Sequence, residues 1–313
     1  MLKRTSVFMA AAFAFVIIVA GCEKANLKPV YNTGDVSSCK VVQETTKEVS
    51  FEQPSLNKSK VDTTQSIVEM SFDQKVASVE ADGSAIFDVT ITAIKLYSKG
   101  QKGVNIDYDS TREADKADQM TALIGQSYKV KIAADGKASV VDAAAITEAA
   151  KSREAKALVS AESIEKRHSI TAMPDEGVAA LAKNKSWTKL GTTPKGALQP
   201  KAFEKVYALD TIEQTADGKV AIVKMNAVET NKTVEGFDAS TGGLGVMANI
   251  FDSTSDYTGQ LDYNITTGKI KSYKETLKSE HVAAEEPKGG DASKGPDVLT
   301  MRFINSYSFE VVK

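Results

Sequence analysis

Along much of the chain, apolar residues recur at every second position. Val68, Met70 and Phe72 alternate with Glu69, Ser71 and Asp73, and Phe87, Val89 and Ile91 alternate with Asp88, Thr90 and Thr92. A period of two is that of a strand with one buried face. Ala81-Asp82-Gly83-Ser84 lies between the two runs and supplies turn chemistry, so the pair predicts a long antiparallel hairpin. After Ile91 the apolar phase slips to Ile94 and Leu96, as a bulge that bends the strand would require.

The same texture returns further on. Tyr128, Val130 and Ile132 turn back at Ala134-Asp135-Gly136-Lys137 into Ala138 to Val141. Strands over Lys205 to Ile212 and Val220 to Val228 flank Ala216-Asp217-Gly218-Lys219. Tyr257, Leu261, Tyr263 and Ile265 share a face before a turn at Thr267-Gly268, and Lys269 to Leu277 forms the partner strand. Met301, Phe303, Tyr307, Phe309 and Val311 share one face of a last long strand. Helices are predicted over Arg112 to Ile124, over the alanine-rich Ala143 to Val159 and over Pro174 to Leu181; the second has a thin apolar stripe, as a surface helix would. The Gly- and Pro-rich stretch from Ala283 to Pro296 reads as a mobile loop between adjacent strands.

These elements predict a mainly β (α+β) chain: a curved antiparallel sheet or half-barrel of long strands with two or three short surface helices. The domain is expected over residues 39–313. The similar turns at 134–138 and 216–221 leave open a division into two like halves, 39–160 and 161–313.

The chain begins differently. Lys3 and Arg4 precede an apolar run from Val7 to Ala20, the pattern of a secretory leader. The run is shorter than the roughly 20 residues that cross a bilayer and is followed at once by Glu23 and Lys24. Val19-Ala20-Gly21-Cys22 resembles the lipobox of bacterial lipoproteins. That resemblance implies removal of residues 1–21 and attachment of acyl chains at Cys22. Several chains hold far better than one, because each buried CH₂ contributes about 0.8 kcal/mol. With Glu23 rather than aspartate after the cysteine, the resemblance implies outer-membrane placement, the domain facing the periplasm or the cell surface. Residues 22–38, polar and without period, are expected to be a lipidated flexible tether.

Composition narrows the picture. The 39 basic and 41 acidic side chains give a net charge of −2, with no basic field to capture nucleic acid. With Cys22 carrying lipid, Cys39 is left without an intramolecular disulfide partner and reads as a small residue at the start of the fold, the other reading being an intermolecular disulfide or a reactive thiol. The two histidines, His168 and His281, lack metal-ligand spacing. His168 follows Glu165-Lys166-Arg167 and is expected to lie in a solvated segment, and His281 at a strand end where a loop begins.

Motifs that carry chemistry are thin. Ser55-Leu56-Asn57-Lys58 and Ser163-Ile164-Glu165-Lys166 fit Ser-x-x-Lys but lack the partner motifs of that mechanism. Asp107 and Asp109 read as a wet strand end rather than a calcium loop or a carboxylate pair for glycoside hydrolysis. Gly243-Leu244-Gly245-Val246-Met247-Ala248 fits a dinucleotide pattern without the strand and helix it needs. The apolar run Leu244 to Phe251 reads as a segment folded onto the core or as a flap. No cofactor or metal is expected.

In architecture the whole chain is similar to the half-barrel carriers of lipoproteins and other lipids in bacterial envelopes, and to large envelope lipoprotein families. The likeness transfers no functional residue. The expectation is a non-catalytic, membrane-anchored lipoprotein binding a hydrophobic ligand or a protein partner. For the ligand, Phe87, Val89, Ile91, Leu261, Tyr263, Phe303 and Phe309 are candidates to line a cavity, with plain core as the other reading. The alternatives are a structural or adhesive module acting through loops and strand edges and, third, a lipid-tethered hydrolase.

Overall fold

A computed structural model describes residues 24–174, 181–194, 196–234, 237, 250–287 and 289–312. Its body is one antiparallel sheet in which chain neighbours mostly pair. In sequence the strands are β2 (Val36–Gln53), β3 (Lys58–Val79), β4 (Ala85–Gly100), β5 (Gly103–Asp109), β6 (Ser127–Ile132), β7 (Ala138–Asp142), β9 (Ser186–Thr192), β10 (Ala202–Thr215), β11 (Gly218–Thr230), β12 (Asp252–Asn264), β13 (Lys269–Glu285) and β14 (Asp297–Val311). In space they run β7-β6-β4-β3-β2-β14-β13-β12-β11-β10-β9, with β5 added beside β4. The first and last strands of the body, β2 and β14, pair along their length, so one sheet passes through both halves of the sequence. The sheet is open, ending at β7 and β9.

The alternation read from the sequence is the alternation of the faces. Met70, Phe72, Val89, Ile91, Leu261 and Phe303 are all fully buried on one side. The opposite side carries charge ladders: Lys40 and Lys95 flank Glu69, and Arg302 joins Glu48 on β2 to Glu280 on β13. The phase slip after Ile91 is a bulge, since Met70 pairs with Ile94 and Phe72 with Ile91, leaving one more residue on β4 than on β3.

The buried side is filled by the chain's own segments. Three short helices, α1 (Ala144–Ala149), α2 (Arg153–Leu158) and α3 (Ala161–His168), set Ile146, Ala155, Leu158 and Ile164 into the core. The single helix expected over Ala143 to Val159 is thus two. Ser152 caps the second, its hydroxyl accepting from the Ala155 N–H at 3.0 Å, and Ser160 caps α3 in the same way. The stretch Arg112 to Ile124 forms two 3-10 turns, Glu113–Asp115 and Gln119–Leu123, instead of an α-helix. The helix expected over Pro174 to Leu181 falls almost wholly outside the described residues, and its last residue, Leu181, belongs to a short strand.

The expected tether also differs. Lys24–Ala25 forms β1, which pairs with β8 (Leu181–Ala182), and both Ala25 and Leu27 are fully buried. The Tyr263 hydroxyl donates to the Lys28 carbonyl at 2.6 Å, and the Val30 N–H donates to Gly268 at 2.8 Å. Tyr31 sets its ring edge-on to Phe87, and Asp35 pairs with Lys269 at 2.8 Å. Residues 24–35 are a strap laid from β12–β13 across to β3–β4. They lack a strand's period because they cross the sheet instead of joining it.

Candidate functional site

Of the seven residues expected to line a cavity, Val89, Ile91, Leu261, Tyr263 and Phe303 are fully covered. Phe87 and Phe309 border an apolar hole of about 110 Å³, together with Pro29, Tyr31, Val76, His168, Ile170 and Met173. The strap forms one wall of it. A dry cavity of about 150 Å³ holds a benzene, so this hole is sized for a short apolar group rather than a lipid.

His168 is part of the core, contrary to the solvated position expected of it. Its Nε2 lies 2.8 Å from the Tyr128 hydroxyl and its ring packs edge-on to Phe72. Burial, aided by neighbouring Arg167, pushes its pKa down to about 3, so the ring is neutral. Arg167 is buried too and donates to the Leu158 carbonyl at 2.7 Å, where the end of α2 presents unsatisfied carbonyls to a cation. The misplacement has a physical source: the charge-rich string hides a helix face on which Ile164, Arg167 and His168 (i, i+3, i+4) point inward. His281 is likewise buried within β13 instead of opening a loop, its Nδ1 2.8 Å from the Ser253 hydroxyl. Cys39 is buried. Desolvation outweighs the hydrogen bond from Ser37 and pushes its thiol up to about 12. Asp107 and Asp109 are held by Arg112 and Lys95.

On the other side of α3 the concave face opens into a larger, polar trough of about 500 Å³. Its floor comes from β2, β3, β10, β12, β13 and β14 through Gln43, Ser66, Lys205, Tyr257, Tyr273 and Tyr307, and α3 contributes Glu162 and Lys166 to a wall. At its base lies an ionic cluster that is largely but not wholly covered. Lys205 on β10 donates to Glu275 on β13 at 2.7 Å, the Tyr273 hydroxyl donates to the same oxygen at 2.8 Å, and the ammonium sits 4.5 Å over the Tyr257 ring. Burial alone would raise the Glu275 carboxyl. Lys205 and the hydroxyls of Tyr273 and Tyr257 outweigh it and hold the group below the usual range. Burial, with the Glu275 charge added, pushes those two phenols far up, so they remain donors.

Two glycines make room for this cluster. A Cβ on Gly191 would come within 2.9 Å of the Lys205 side chain, and one on Gly259 within 2.8 Å of the Lys274 carbonyl and 3.4 Å of Glu275. The trough escaped the sequence reading because its parts are far apart in the chain. The signal present was a charge on an inward row: Phe203, Lys205, Tyr207, Leu209 on one strand and Tyr273, Glu275, Leu277 on the other.

Cys22 and the Gly-rich pattern at 243–248 lie outside the described residues, as does the apolar run from Leu244 to Phe251 but for its last two residues, of which Ile250 is exposed. Among the described residues no helix is long and apolar enough to cross a membrane.

No protein-family model and no curated protein sequence matches this chain. Among solved structures, a lipovitellin described by its lipid–protein interactions is similar at 8% identity and a TM-score of 0.44, covering 91% of this chain and 26% of its own. This chain therefore spans about a quarter of that protein. OpdL of Pseudomonas aeruginosa is similar at 9% identity and a TM-score of 0.20, covering 88% of this chain and 98% of its own. A DUF1329 family protein from Desulfovibrio piger follows at 7% and 0.13, covering 87% and 85%. At these identities and TM-scores the likenesses carry nothing about function.

Proposed function

We propose that this chain is a lipid-anchored, non-catalytic binding module of the bacterial envelope, whose ligand sits in the polar trough on the concave face of the sheet. The leader and Val19-Ala20-Gly21-Cys22 support acylation at Cys22, in the outer membrane by the residue that follows it. Lys24, two positions later, is already paired in β1 with β8, so the anchored domain rides close to the bilayer rather than on a long tether.

The observation that carries the binding reading is the trough itself. Its volume lies in the range of small-molecule sites, about 300–1,000 Å³, and polar groups from several strands and a helix converge on it. The apolar hole beyond α3 accepts a short apolar tail at most. The non-catalytic reading is supported by the state of the groups that could react: His168 is neutral and locked against Tyr128, the Cys39 thiol is held protonated, and Glu275 is engaged by Lys205.

A structural or adhesive role is favoured by a different observation. Among the described residues the outer side of β9 pairs with no strand, with Leu190 exposed there, and such an edge accepts a further strand, whereas the outer N–H groups of β7, on Ala138 and Val140, donate to Ser169 and Glu165.

The test is native mass spectrometry of the full chain extracted from its membrane in mild detergent. A non-covalent adduct that is lost on Asn305→Leu is expected. A bare chain in repeated preparations contradicts the binding reading.

A further inference from the structure

We propose that the trough recognises a neutral saccharide, of one or two sugar units, and this rests on the reading of the trough as a binding site. Three properties of its lining point to that chemistry.

The first is charge. Two acidic groups, Glu162 and Glu275, and two basic ones, Lys166 and Lys205, border the trough. Lys205 and Glu275 neutralise each other at 2.7 Å, and Glu162 and Lys166 stand i, i+4 on α3 in the favourable order. An ionic ligand finds no surplus charge here to offset its loss of hydration.

The second is the kind of polar group offered. Thr45, Ser66, Thr171, Thr192, Gln43 and Asn305 are hydroxyls and amides, which both donate and accept. Asn305 spends one N–H on the Thr45 hydroxyl at 2.8 Å, and its amide oxygen has no partner among the described residues. The side chains of Gln43, Ser66 and Thr192 likewise make no hydrogen bond there, yet are not sealed from solvent. They are free to bind hydroxyls.

The third is a rigid aromatic border. Tyr257, Tyr273 and Tyr307 reach the same space only by their edges, being 3%, 4% and 7% exposed, with phenols fixed by Glu275 and by the Arg167 carbonyl, to which Tyr307 donates at 2.8 Å. A sugar ring carries hydroxyls round its rim and C–H bonds on its faces, so the rim meets the amides and hydroxyls while a face rests against tyrosine edges. A peptide is the poorer fit, because extended peptides bind by adding to a free strand edge, whereas the trough floor is a sheet face whose backbone groups are already paired.

Saturation-transfer NMR on the full chain in detergent tests this with three sets of probes: glucose, galactose, N-acetylglucosamine, maltose and cellobiose; glucuronate and galacturonate; and tri- and tetra-alanine. At least one neutral sugar is expected to receive saturation, and its affinity should fall at least tenfold in Gln43→Leu/Asn305→Leu. The outward-face control Lys224→Ala should leave binding unchanged, with circular dichroism showing that all variants fold. Should only the uronates or only the peptides bind, the saccharide assignment is wrong while the trough remains a binding site. Should no neutral sugar bind and native spectra also show no adduct, both readings fall. Sugar binding that survives Gln43→Leu/Asn305→Leu would place the site elsewhere and overturn the assignment.

Discussion

Lys205 and Glu275 meet at 2.7 Å although two whole strands, β11 and β12, separate the strands that carry them. In a flat sheet their backbones would stand roughly 16 Å apart, three inter-strand spacings across and two residues along, since Glu275 lines up with Tyr207 through Gly259 and Met225. The bridge closes because the sheet bends inward and because Gly259 holds space beneath it. Tyr207 and Tyr273, whose hydroxyls lie 3.4 Å apart, span the same two strands.

Breaking that pair should therefore cost more than removing it. Glu275→Leu or Lys205→Met alone strands one charge in a largely buried place, for a loss of about 3 kcal/mol, while the double variant loses clearly less than the two singles together. Urea unfolding of the four proteins checks this; additive losses would mean that the pair is not coupled.

Acid should weaken the fold from two directions. The unfolded chain protonates His168 near its ordinary value of about 6.5, whereas the folded ring, pushed down to about 3, stays neutral. Between those values the unfolded state binds more protons, so stability falls with decreasing pH by about 1.4 kcal/mol per pH unit. The lowered Glu275 carboxyl adds a contribution that is present above the ordinary carboxylate range and lost below it. In His168→Gln the slope between pH 6 and pH 4.5 should flatten, as read from urea midpoints.

Cys39 should be inert while the chain is folded. At pH 8 iodoacetamide is expected to leave it unmodified in buffer and to label it fully in denaturant, by intact mass. Rapid labelling of the native protein would contradict its burial.

Two turn glycines separate backbone strain from contact. Gly83 (φ +82°) and Gly136 (φ +83°) share a left-handed conformation, but a Cβ on Gly83 meets nothing within 4 Å, while one on Gly136 would lie 1.9 Å from the Ile170 carbonyl oxygen. Gly83→Ala should cost about 1 kcal/mol and Gly136→Ala several times that, by thermal or urea denaturation.

What the sequence disclosed follows from what local pattern can hold. The hairpin turns, the alternating faces and the bulge opposite Phe72 are set by residues within a few positions of one another, so periodicity exposes them. The strap is invisible to the same reading, since Lys28, Val30 and Tyr31 are fixed by Tyr263, Gly268 and Phe87, all distant in the chain. Phe87 and Phe309 do border an open space, but most of the row chosen with them is core, because apolar alternation identifies the buried face without saying what fills it. The trough is polar, and its Lys205 and Glu275 lie 70 positions apart.

Membrane attachment requires acyl chains at Cys22. Metabolic labelling with an alkyne palmitate, comparing the natural chain with Cys22→Ser in the same cells, tests it most directly. The natural chain should take up label, lose its leader and stay with the membrane, while Cys22→Ser should remain unlabelled and unprocessed. A natural chain that carries no label, or a Cys22→Ser variant that is labelled, cleaved and fractionated like it, would contradict the anchor.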